Sequence, residues 1–187
     1  MEIRYFVYVI IGMLVLIIFL YNRLISLRNQ VKNSFSGIDV QLKRRNDLIP
    51  NLVETVKGYA KHEKKLLENI AKERASIMKA IDSKNVKEIA KKEESMSTAL
   101  RSLLAVSENY PDLKANENFL DLQDKLTKTE DQISASRRIY NSNVTHFNTA
   151  IEVFPNNIFA NIFNFEKFDF FEIKESEKKN VVIKNEL

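Results

Sequence analysis

Three glycines and three prolines in 187 residues leave this chain almost no means of reversing direction tightly. Average proteins carry roughly 7% and 5% of these residues, and the turns of hairpins, sandwiches and Rossmann sheets depend on them. The chain is therefore expected to be all-α. Zero cysteines exclude a disulfide framework, a thiolate nucleophile and a zinc site built on sulfur, and two histidines are too few for an imidazole cluster. No metal or other cofactor is expected. A formal charge of +4 falls well short of the clustered excess of nucleic-acid-binding domains, so no nucleic-acid partner is expected either.

At the amino end, YFVYVIIGMLVLIIFLYN from Tyr5 to Asn22 carries no charge. Its about 18 residues fall within the range that spans a bilayer, which predicts a transmembrane helix. Tyr5, Tyr8 and Tyr21 lie near its ends, where amphipathic rings favour the headgroup level, and Arg4 and Arg23 mark the boundaries. A cleaved signal peptide would need small residues of the A-x-A kind after the apolar run, and FLYNRLIS has none. The expectation is a single-pass anchor, residues 1–23. Arg23, Arg28 and Lys32 outweigh Arg4 and the terminal amine, which favours the cytoplasmic side for the large domain.

Four helical stretches follow, over residues 24–153. Leu24, Leu27, Val31, Phe35, Ile38 and Leu42 keep three-four spacing and form one stripe. Asn46, Asp47 and Pro50 read as an interruption, with a second helix starting near Ile49, since proline is tolerated in a first turn. Its stripe is Leu52, Val56, Tyr59, Leu66, Ile70, Ile77 and Ile81, with Gly58 admitting a close neighbour. A rival parse joins these two helices through a kink at Pro50. Asp82 to Asn85 is a turn by composition, and Val86, Ile89, Met96, Leu100, Leu103 and Leu104 mark a third helix that ends at Tyr110 and Pro111. Phe119, Leu122, Leu126, Ile133, Tyr140, Val144, Phe147 and Ile151 make a fourth, nearly heptad stripe that stops at Pro155. The predicted architecture is an N-terminal transmembrane helix followed by an antiparallel up-and-down four-helix bundle of long helices.

Seven of the chain's 12 phenylalanines lie between Phe154 and Phe171. This Phe-rich segment, residues 154–173, is expected to close the bundle's end or to lie in the membrane interface, with Ile158, Phe159, Ile162 and Phe163 sharing one face of a short helix. Residues 174–187 read as a flexible polar tail. Motifs that carry catalytic chemistry are absent from the sequence. There is no phosphate loop, nucleophile elbow or H-E-x-x-H helix, and His62 and His146 read as surface residues. Glu93 and Glu94 sit among lysines and read as a solvated helix face, while Tyr140 reads as a buried polar tie.

Three strings carry a resemblance: RRNDLIPNLVETVKGYAKHE from Arg44, YPDLKANENFLDLQDKLTKTEDQISASRRIYN from Tyr110, and HFNTAIEVFPNNIFANIF from His146. Together and in this order they resemble the LemA family of bacterial membrane proteins. The resemblance implies an amino-terminal anchor in a bacterial inner (cytoplasmic) membrane, an all-helical domain and no established catalytic activity. By motif, Arg45, Asp47, Pro50, Asn51, Tyr110, Pro111, Glu130, Arg137, Tyr140, Asn141, Asn148 and Pro155 match its signature.

With a bundle tip near Arg45 and Pro111, the rise of about 1.5 Å per residue sets Glu130 beside Arg45 and Arg137 beside Asp39, which predicts cross-helix ion pairs. In that geometry Lys43, Arg44 and Arg45 stand far from lipid, solvated or salt-bridged. The function expected is that of a non-enzymatic, membrane-tethered scaffold or adaptor. Its partners would be the bilayer through residues 5–22, an unidentified membrane or envelope protein, and further copies of itself. The alternative is a membrane-organising protein acting through the Phe-rich segment.

Overall fold

The computed structural model describes residues 2–171, and the sequence-based reading of residues 172–187 lies outside them. Six helices follow one another: α1 (Glu2–Tyr59), α2 (Lys64–Ser83), α3 (Val86–Ser107), α4 (Pro111–Lys114), α5 (Glu117–Glu152) and α6 (Asn156–Ile162), with no strand among the described residues. The fourth predicted stripe is buried along its whole length on α5, from Phe119 to Ile151. Leu24, Val31, Ile38 and Leu42 of α1 are buried with it.

α1 departs from the expected parse. It runs unbroken through Asn46, Asp47 and Pro50, so no second helix begins near Ile49. Proline at position 50 has no N–H to give to the carbonyl four residues back, and a helix usually breaks or kinks for that reason. Here Arg74 of α2 reaches across and its Nε donates to the Asn46 carbonyl at 3.2 Å. The orphaned acceptor is thus satisfied from another helix. Pro50→Ala is expected to stabilise the chain, because the intrahelical bond returns, and Arg74→Ala should then cost less in the Pro50→Ala background than alone. Melting curves of the two single variants and the double variant check this; additive effects would contradict the link between Pro50 and Arg74.

The real corner lies at Ala60–Glu63, inside the predicted second stripe, where Ala60 is fully buried. Two side-chain ties fasten it to the connection between α3 and α5: Asn116 Nδ2 donates to the Tyr59 hydroxyl at 3.0 Å, and the Tyr110 hydroxyl donates to Glu63 at 3.2 Å. Gly58 admits no close neighbour, since a Cβ there would meet nothing within 4 Å. The predicted turn at 82–85 is present, with Lys84 left-handed at φ 54° and Asn85 capping α3 by accepting from the Glu88 N–H at 3.1 Å.

Pairings along the helices set their directions. Gln30 with Asn143, Arg44 with Gln132 and Tyr59 with Asn116 show α5 descending as α1 ascends. α2 packs on α3 and on the distal half of α1. The far end of the domain is therefore at Tyr59–Glu63 and Tyr110–Pro111, not at Arg45. Lys43, Arg44 and Arg45 sit about three-quarters of the way along α1, with Arg44 and Arg45 beside the middles of α3 and α5.

Candidate functional site

Arg45 is the largest buried side chain in the domain, with 2% of its surface exposed. Its Nη1 lies 2.7 Å from Glu130 of α5 and 3.2 Å from Glu93 of α3, and donates to Ser97 Oγ at 3.0 Å. Ser97 in turn donates to Glu93 at 2.8 Å. The predicted Arg45–Glu130 pair is present. Arg137 does not meet Asp39; it lies 2.9 Å from Glu93 and 3.9 Å from Glu130, with its guanidinium 5.3 Å from the centroid of the Phe171 ring. Moving the corner from Pro50 to Ala60 opens this geometry, because α3 then brings a carboxylate between the two arginines.

Glu93 is the residue that the sequence reading misplaced. It is 4% exposed, not on a solvated face. Ile89, Glu93, Met96 and Leu100 step by four, three and four residues, so Glu93 occupies a slot in the apolar stripe of α3; that spacing was the available signal. Two arginines and two carboxylates balance in charge. Beside Arg45 and Glu130 a cavity of about 170 Å³ is lined otherwise mainly by α3 and α5 side chains such as Leu100, Leu104 and Leu126.

A second group of matched positions holds the carboxyl-terminal part of the chain. Asn148 donates to the Phe168 carbonyl and accepts from the Phe168 N–H, both at 3.0 Å. One heptad earlier on α5, Asn141 does the same for Phe171 at 2.9 and 2.8 Å. Each amide thus replaces the backbone partner that a strand would have supplied. Tyr140, buried as expected, donates to the Asp169 carbonyl at 2.9 Å. Burial first and then the Asp169 charge push its phenol up to about 12, so it remains a donor at neutral pH. Lys87, opening α3, pairs with Asp169 at 2.9 Å. The segment therefore runs back along α1 and α5 to the start of α3, and Phe147 packs edge-on against Phe165 and Phe168.

The other matched positions lie apart from these groups. Asp47, Pro50 and Asn51 are exposed on α1, and Tyr110 with Pro111 belongs to the distal end. Pro155, after a cis Phe154–Pro155 bond, opens α6. On α6, Ile158, Ile162 and Phe163 are exposed while Phe159 is half-buried, and Phe154 is 79% exposed. The Phe163 ring lies 4.9 Å from Tyr21, at the end of the apolar stretch of α1. Among the described residues one helix is long and apolar enough to cross a membrane, α1, and Tyr5 to Phe19 present their side chains outward.

Asp39 is a half-buried carboxylate on α1. Burial pushes it above the ordinary carboxylate range against the pull of Lys43 and Lys84, and its Oδ1 has no hydrogen-bond partner. The folded chain therefore holds this proton more tightly than the unfolded one. Its contribution to stability is whole at pH below the ordinary value of 3.8 and is lost as pH rises through the raised value. Asp39→Asn is expected to melt higher than the parent at pH 7, with the gain shrinking toward pH 3.8. A gain that grows on acidification would reverse the sign of this reading.

The family model of the LemA family matches residues 34–184, most of the chain. Protein LemA of Metamycoplasma hominis is 29% identical over 161 residues, covering 86% of this chain and 72% of that protein. Magnetosome protein MamQ 2 of Paramagnetospirillum magneticum is 23% identical and Magnetosome protein MamQ of Magnetospirillum gryphiswaldense 22%, each over 82% of this chain. The match spans 65% of the length of each MamQ protein. With the family's model matched from α1 into the carboxyl-terminal segment, the chain belongs to the LemA family.

Proposed function

We propose that this chain is a membrane-anchored helical scaffold that performs no catalysis of its own and presents the far end of its domain to another membrane or envelope protein. The observation that carries this reading is α1: one helix of 58 residues leads from an exposed apolar stretch into the packed domain without a joint. At about 1.5 Å per residue such a helix is a rod of about 87 Å, which fixes the height and direction of whatever it supports. The buried Arg45, Glu93, Glu130 and Arg137 cluster favours a single register among α1, α3 and α5, as buried ionic groups do in the best-attested cases. In this reading the distal halves of α1 and α5 with α2 and α3 act as an up-and-down four-helix bundle, residues 1–23 anchor it in the inner membrane, and the bundle lies on the cytoplasmic side.

The test is photo-crosslinking in cells from Asn51 and Lys61, near the far end, and from Ile162, near the anchor. Repeated capture of one protein from the far end supports the adaptor. Capture of only the chain itself and lipid overturns it and favours a membrane-organising role. That second reading has its own support in the exposed Phe154, Ile158, Ile162 and Phe163. It requires that a chain beginning at residue 23 bind liposomes and that Phe159→Ala with Phe163→Ala abolish this binding.

A further inference from the structure

Where α1 leaves its apolar stretch, a cavity of about 370 Å³ opens between α1, the end of α5 and the start of α6. Its volume falls within the roughly 300–1,000 Å³ of small-molecule sites. Leu20 and Phe154 give it apolar walls, Arg23 and His146 give it donors from two different helices, and no carboxylate lines it. Arg23 has no ion-pair partner among the described residues, and the nearest acidic side chain on α5, Glu152, is paired with Lys167. A third wall residue, Asn156, is 4% exposed, and its Oδ1 has no hydrogen-bond partner. A buried acceptor left in that state calls for a donor from outside the protein.

We infer that this cavity binds the headgroup of an anionic phospholipid, with the phosphate against Arg23 and His146, a headgroup hydroxyl serving Asn156, and the acyl chain following Leu20 and Phe154. The chemistry of the wall selects this class. Arginine and imidazole N–H groups need an acceptor-rich anion, the asparagine oxygen needs a hydroxyl, and apolar side chains on one flank suit a molecule with a hydrocarbon end. The place selects the source, because Arg23 and Tyr21 stand where the apolar stretch meets the first charged residues, the depth of lipid phosphates. The inference rests on the anchoring reading above. It adds that the protein reads headgroup chemistry through a shaped site instead of sensing only surface charge.

The experiment uses the full chain in detergent micelles, with retained lipid counted by native mass spectrometry after addition of phosphatidylglycerol or phosphatidylcholine. Phosphatidylglycerol should be retained in preference. Arg23→Gln removes a charge-assisted contact and should lower its retention about tenfold. His146→Ala, an exposed change on another helix, should lower it severalfold, while Lys32→Gln, an equal loss of charge on the same helix outside the cavity, should leave it unchanged. Equal loss from Arg23→Gln and Lys32→Gln overturns the site in favour of diffuse surface charge, and so does equal retention of the two lipids. Competition by free glycerol 3-phosphate at concentrations comparable to the lipid overturns the lipid source. Carbonate washing of membranes separates the two readings. A chain washed off fails the anchoring reading, and a chain that stays without headgroup preference fails this inference alone.

Discussion

Arg45→Ala is expected to lower stability by about 3–5 kcal/mol, since it leaves Glu93 and Glu130 sharing Arg137 alone, one negative charge in excess at a closed site. For a chain of this size that is a fall in melting temperature of about 10 °C, read by circular dichroism of the detergent-solubilised protein. The size follows from burial. Arg45 and Glu93 are both closed to solvent, whereas Glu130 is 35% exposed, so Glu130→Ala should cost clearly less than either Arg45→Ala or Glu93→Ala. The cause is the uncompensated charge and not the loss of attraction as such. Replacing Arg45, Glu93, Glu130 and Arg137 together by apolar side chains of similar volume should therefore recover most of the stability. An Arg45→Ala chain that melts with the parent would remove the cluster from the account of how α1, α3 and α5 keep their register.

Asn141→Ala combined with Asn148→Ala should release the carboxyl-terminal segment while leaving the helices folded. The two changes strip partners from the N–H and C=O groups of Phe168 and Phe171, at about 1–3 kcal/mol for each buried group left unsatisfied. Hydrogen exchange at residues 165–171 should rise by orders of magnitude, with protection in α5 retained. Asn→Asp at either position keeps the acceptor but turns a carboxylate oxygen toward the carbonyl that the amide N–H had served, so it should not rescue the segment at neutral pH. Unchanged exchange in the double variant would assign the segment's order to Phe165, Phe168 and Phe171 alone. A uniform loss of protection across the domain would make the segment part of the global folding unit and not a clasped addition.

Much of this was readable along the chain because it is local. The apolar stretch of α1 was a run without charge, and the core of α5 was a stripe at three-four spacing that survives intact, from Phe119 to Ile151. Tyr140 was legible as a buried tie for the same reason, being a polar residue in an apolar slot. Glu93 occupies the same kind of slot on α3 and was misread, because flanking lysines give it the local signature of a solvated face.

The sequence by itself determined that the chain is helical, where the apolar stretch of α1 lies, and which faces are buried, since glycine and proline scarcity, hydropathy and helical period act over a few residues at a time. The tertiary structure alone decided that α1 continues through Pro50, because the carbonyl that proline orphans is satisfied by Arg74, 28 residues away in sequence. It also decided that the corner falls at Ala60, that Arg137 meets Glu93 instead of Asp39, and that two asparagines one heptad apart hold Phe168 and Phe171. Each of these depends on which side chain another helix delivers to a buried polar group. A helical period says which face is hidden, but not what stands opposite it.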